Sequence, residues 1–161
     1  MFVGLIAAFF VTVFDQVTKA LVFGYLAERG QALEVSSFFN LVSAWNTGVS
    51  FSMFNDLGGM GVYILSAFSL IVVGFLLYWL KKEQMLFMKL ALGFVIGGAL
   101  GNVIDRLRLG AVFDFLDVHI GAHHWPAFNV ADSFICIGAV MIIFDGLFFS
   151  DCSQKRQVKE G

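Results

Sequence analysis

Gly97-Gly-Ala-Leu-Gly-Asn-Val-Ile-Asp-Arg106, with Val112-Phe-Asp-Phe115 and Phe128-Asn-Val-Ala-Asp132 close behind it, places four groups that lipid excludes in one short span: Asn102, Asp105, Asp114 and Asp132. Everything around that span is apolar. The 161 residues are 59% hydrophobic and 14% charged, with 20 Phe and a mean hydropathy of +0.85. Soluble domains carry about 25% charged residues, and a soluble fold of this length has too little interior to hide so much apolar surface. The composition therefore implies an integral membrane protein. The net charge of −2 and the absence of a basic patch give nucleic acid no purchase.

Working outward, four segments are long enough to cross a hydrocarbon layer of about 30 Å: residues 2–23, 62–80, 86–104 and 130–149. The single proline, Pro126, lies outside all of them. Backbone groups in lipid must bond within their own segment, so these are helices. The apolar N-terminus lacks a basic lead and a small-residue cleavage site, and its apolar character resumes after Lys19, so it is expected to be retained. Lys81, Lys82, Lys89, Lys155, Arg156 and Lys159, six of the ten basic residues, fall on one side. By the positive-inside rule that side is cytoplasmic, and both termini with it. Residues 24–61 and 105–129 then face out. Residues 24–61 interleave small polar and apolar positions around Asn46-Thr-Gly48, a pattern that predicts a short sheet or cradle on the outer surface. The fold class expected is an all-α integral membrane protein of one domain, with four transmembrane helices and a small extracytoplasmic β-like cradle.

Each polar group has an ordinary reading beside a functional one. Asp15 and Lys19 share a helix face at a spacing of four, with the acid first, as an ion pair prefers. Gly97, Gly98 and Gly101 give the small-residue spacing that lets membrane helices approach closely. Asn102, Asp105 and Arg106 follow on one face as a supporting network. Asn129 and Asp132 read as a helix N-cap and its reciprocal acid. Asp114, in an extended Ala111–Val118, shares a face with Val112 and Leu116 and needs a partner or a raised pKa; Asp117 points the other way, to solvent. Topology changes the balance. Helix three arrives at the outer face, helix four leaves from it, and the crossing between them carries Asp114, so several acids meet at one depth.

Two carboxylates at a low-dielectric boundary tend to share one proton, the arrangement of an aspartic protease. No serine stands in a Gly-x-Ser-x-Gly setting. His119, His123 and His124 lack the HExxH spacing of a metal site and read as interfacial loop residues. Cys136 and Cys152 would lie about 24 Å apart on one helix, too far for a disulfide. A proton-coupled transporter using the same acids as a relay, or a structural subunit, are the competing classes.

With Asp15-Gln-Val-Thr-Lys19 and Asn46-Thr-Gly-Val-Ser-Phe51, these stretches resemble the lipoprotein signal peptidase (signal peptidase II) family, the membrane aspartyl proteases of bacteria, over essentially the whole chain. The resemblance implies Asp114 and Asp132 as the catalytic dyad. It implies Asn46, Gly48, Asn102, Arg106, Asn129 and Ala131 as residues lining or supporting the site, with Asp15, Lys19 and Asp105 as braces. It implies removal of a signal peptide just before a diacylglyceryl-modified cysteine, with no metal or cofactor. The partners implied are a lipid-modified prolipoprotein and membrane lipids, for a monomer in the bacterial inner membrane whose active site lies near the outer face. One departure is Val49-Ser50, where the family has two small residues.

Overall fold

The computed structural model describes residues 1–29, 32–48 and 60–148; Val49, Ser50 and Phe51 of the second motif lie outside them. Four helices form: α1 (Phe2–Arg29), α2 (Met60–Lys82), α3 (Leu86–Leu109) and α4 (Val130–Phe148), all long and apolar enough to cross a membrane. Among the described residues, Phe2, Phe9, Phe10, Phe68 and Ile71 lie exposed along them. An outward Phe surface is costly in water and favourable in lipid, so the helices present the composition a bilayer requires.

At the centre is α3, packed against each of the other three helices. The close approach comes from its glycines. A Cβ at Gly97 would meet the Ala8 carbonyl and Val11 of α1, and one at Gly98 would meet the Ala131 carbonyl of α4. In lipid there is no hydrophobic drive between helices, and small residues let backbones pack and gain dispersion contacts instead. Leu80, Leu92 and Ile96 fill the interior towards the other end.

Two helices outrun their expected ends. α1 continues from Phe23 to Arg29, since nothing before Gly30 interrupts it. α3 continues from Ile104 to Leu109, with Arg106 and Arg108 in the last turn, where the helix dipole favours cations. It stops at Gly110, whose φ of 75° is left-handed and whose N–H donates to the Arg106 carbonyl at 3.1 Å. That turn redirects the chain into a strand.

The cradle is wider than residues 24–61. Strands β1 (Ala32–Ser36) and β2 (Phe39–Asn46) come from that segment, but β3 (Val112–Ile120) and β4 (His123–His124) come from the α3–α4 connection. They form one antiparallel sheet in the order β1-β2-β3-β4. In the β2–β3 register Asn46 stands opposite Val112 and Ala44 opposite Asp114, so Asn46 and Asp114 are diagonal neighbours on one face. The other face of β3 sends Phe113 and Phe115 against Leu26 of α1.

This sandwiching corrects the reading of Asp117. It is not turned to solvent: it is buried, accepts from Asn40 Nδ2 at 2.8 Å, and pairs with His124 Nδ1 at 2.9 Å. The hydrogen bond from His124 holds its carboxyl below the usual range. Alternation along a strand separates two faces, but it does not show when side chains from the neighbouring strands, here Asn40 of β2 and His124 of β4, cover one of them.

Candidate active site

The site is assembled where α1 and α3 end, α4 begins and β2–β3 cross. Asn129 caps α4: its Oδ1 accepts from Asp132 N–H at 3.0 Å, and Asp132 Oδ2 accepts from Asn129 N–H at 3.2 Å. This is a reciprocal capping box. The cap's amide is also used outward. Asn129 Nδ2 donates to Asp114 Oδ1 at 2.6 Å and to Asn102 Oδ1 at 3.2 Å. Asn102 Nδ2 in turn donates to Asp132 Oδ1 at 2.7 Å, and Asn46 Nδ2 to Asp114 Oδ2 at 3.1 Å. Three asparagines from three elements thus hold the two carboxylates, each acid receiving a hydrogen bond on both oxygens. Gly48 supports this by turning the chain after β2, its N–H donating to Asn46 Oδ1 at 2.8 Å and its φ reaching 80°.

Behind the amides lies a buried ion cluster. Lys19 Nζ is 2.8 Å from Asp15 Oδ2, 2.8 Å from Asp105 Oδ2 and 3.1 Å from Asn102 Oδ1. Asp15 Oδ1 accepts the Ala131 N–H at 2.9 Å, so an acid from α1 caps α4 one residue before Asp132. That contact requires Gly101, where an added Cβ would lie 2.6 Å from Asp15 Oδ2. Asp105 also accepts the Phe113 N–H at 3.2 Å, fixing the start of β3 one residue before Asp114.

Two details differ from the sequence reading. Asp105 is braced by Lys19 instead of Arg106, because positions one apart on a helix face apart; among the described residues Arg106 Nε is buried without a hydrogen-bond partner. Gln16 was not singled out, yet its Nε2 donates to Asp105 Oδ1 at 2.8 Å and to the Gly101 carbonyl at 3.2 Å. Its place beside Asp15 in an apolar helix was the available signal.

The Asp114 carboxyl is pushed up to about 6, first by burial and also by the nearby Asp132 charge, against the lowering effect of the Asn46 and Asn129 amides. Two hollows flank the acids. One of about 320 Å³ lies beside β2 and is lined by Trp45, Asn46, Asp114 and Pro126. The other, about 430 Å³, lies along α4 and is lined by Asp132, Ser133, Cys136 and Ile137 with Trp125 and Phe128. Among the described residues no group of three or more His, Cys, Asp or Glu side chains is gathered for a metal ion.

Comparison with known proteins identifies the family. A sequence profile described as "Signal peptidase (SPase) II" matches residues 7–148. The chain belongs to the signal peptidase II family. Members of this family are proteases that remove signal peptides from prolipoproteins. A lipoprotein signal peptidase of Janthinobacterium sp. (strain Marseille) is 49% identical over 135 residues, 83% of this chain and 81% of that protein. One of Aeromonas hydrophila is 45% identical over 136 residues, 83% of this chain and 81% of that protein. A bacterial membrane enzyme solved by the in meso method at 1.9 Å resolution is similar at a TM-score of 0.77 and 34% identity, covering 91% of this chain and 93% of that one. The signal peptidase II match thus spans all four helices and the sheet.

Proposed function

We propose that Asp114 and Asp132 are the catalytic dyad of this signal peptidase II, and that it hydrolyses the bond before a diacylglyceryl-modified cysteine. The observation that carries the reading is the amide bridge: Asn129 Nδ2 on Asp114 at 2.6 Å and Asn102 Nδ2 on Asp132 at 2.7 Å, with Asn129 and Asn102 bonded to each other. Such a bridge fixes two acids relative to one another, which a merely structural acid would not need.

The division of labour follows from the surroundings. Asp114, buried and pushed up to about 6, is the acid that carries the shared proton in the active, singly protonated form of the dyad. Asp132 sits in the first turn of α4, where the helix dipole favours negative charge. Asp132 takes a proton from water as the water oxygen attacks the scissile carbonyl, and Asp114 gives its proton to the carbonyl oxygen. The tetrahedral diol collapses as the peptide nitrogen receives the proton from Asp132 and the diol returns one to Asp114. Acid and amine are released, and the dyad again holds one proton. Lys19, Asp15, Asp105 and Gln16 hold Asn102 and the start of α4 in place; Arg106, beside the acids, limits their mutual repulsion.

The basic residues at the end of α2, at the start of α3 and in the C-terminal tail support cytoplasmic termini and an active site near the outer face. A monomer satisfies the reading, since the acids, the amides and the brace all come from one chain.

Cleavage of a purified diacylglyceryl-modified prolipoprotein in the presence of EDTA tests the reaction. Activity is expected in the unaltered protein, and Asp114→Asn or Asp132→Asn is expected to abolish it in folded protein. Near-normal turnover by either variant refutes the dyad; loss of activity in EDTA refutes metal independence.

A further inference from the structure

The two hollows differ in chemistry, and the acids lie between them. The one beside β2 offers Asn46 and a strand, which suit an extended peptide. The one along α4 has Asp132 and Ser133 at its upper end and Cys136 and Ile137 below them on the helix, with Trp125 and Phe128 of the preceding connection completing an otherwise apolar wall. Its α4 residues follow the three-and-four spacing of a single stripe, so it descends from the acid towards the bilayer interior by roughly 8 Å. Cys136 and Ile137 are exposed on a membrane-spanning helix, so the hollow opens sideways to lipid. Its volume of about 430 Å³ falls within the range of small-ligand sites.

We propose that this α4 hollow is the subsite for an acyl chain of the lipid-bearing cysteine, and that Cys136 and Ile137 set the chain length it accepts. The proposal rests on the prolipoprotein-peptidase reading above. A bond held between the acids has its two sides in the two hollows. The extended peptide before it needs hydrogen-bonding partners, which β2 supplies and the α4 hollow does not; an unpaired backbone group there would be costly. The residue after it carries a group with no polar atoms beyond its ester linkages, which suits the α4 side. Lipid tails are as apolar as this lining, so leaving the bilayer gives the chain little hydrophobic gain. Discrimination therefore comes from shape, and the residue at position 136, halfway down the stripe, is placed to control it.

The test compares two synthetic prolipopeptides of one sequence, whose cysteine sulfur carries either a dihexadecanoylglyceryl or a dibutanoylglyceryl group, in the same micelles. Cys136→Trp is expected to lower the ratio of kcat/KM for the long-chain over the short-chain substrate by about tenfold, through KM, the scale on which pockets discriminate methylenes. An unchanged ratio overturns the subsite while leaving the peptidase reading intact, because the unaltered protein still cleaves both. Cleavage of neither substrate by the unaltered protein brings down the peptidase reading, and the subsite with it. The unaltered protein provides a second readout should the variant fail to fold. Alkylation of Cys136 by a membrane-permeant maleimide, followed by mass spectrometry, is expected to slow several-fold with the hexadecanoyl product bound and less with the butanoyl one. Equal rates in the two cases refute the proposal.

Discussion

Replacing Asp114 by asparagine should make the protein inactive and, above pH 6, more stable. Its carboxyl moves from 3.8 to about 6 on folding, chiefly because burial penalises the charged form. Each pH unit between those values is worth about 1.36 kcal/mol, so ionised Asp114 opposes folding by about 3 kcal/mol at neutral pH. The sign follows from proton counting. Between 3.8 and about 6 the folded state retains a proton that the unfolded state has lost, so stability falls as pH rises, and the full penalty is present above about 6. Asparagine abolishes the titration, but its one carbonyl oxygen replaces the two oxygens that accept from Asn46 and Asn129, and one lost hydrogen bond returns about 1 kcal/mol. A net gain of about 2 kcal/mol is expected at pH 8, and a small loss at pH 3.5. At roughly 2–4 °C per kcal/mol, the midpoint in detergent should rise by about 4–8 °C at pH 8. Thermal unfolding of both proteins across this pH range measures it, with prolipoprotein cleavage confirming inactivity. A variant no more stable relative to the parent at pH 8 than at pH 3.5 refutes the reasoning, because the penalty would then not be electrostatic.

Lys19→Met removes the cation shared by Asp15 and Asp105 and leaves buried charge uncompensated, which should cost about 3–5 kcal/mol in unfolding experiments; adding Asp105→Asn should recover part of that loss, and strict additivity would show that the cluster is not coupled. Gly101→Leu forces a side chain against Asp15 Oδ2 and should break its cap on Ala131. Prolipoprotein cleavage should fall by at least about a hundredfold, since misplacement of about 1 Å is costly in catalysis, and full activity would refute Asp15 as the positioner of α4. Asp117→Asn weakens the bond to His124 at the far end of the sheet and should cost about 1 kcal/mol of stability with kcat/KM nearly unaltered. Its depressed carboxyl places that contribution above the ordinary carboxylate range and removes it as pH falls below, which a pH series of melting curves reads directly.

The sequence by itself determined the helices, because hydrophobic length and the absence of proline are local properties that lipid turns directly into structure. It also determined that Asp114 and Asp132 meet: alternating helices return the chain to one face, and acids in an apolar segment are too costly to be scattered. The capping box of Asn129 and Asp132 was readable from four residues. What the tertiary structure decided was how those acids are held. The β2–β3 register joins residues about 70 apart in sequence, and no local pattern reveals that Asn46 will stand diagonal to Asp114. Lys19 bonding Asp105 in place of Arg106, Gln16 reaching α3, and Asp117 covered where alternation points it to water each depend on which helix or strand lies alongside. Short-range physics chose the elements. Only packing, through the glycine contacts that set the spacing of α1, α3 and α4, chose the partners of each charge.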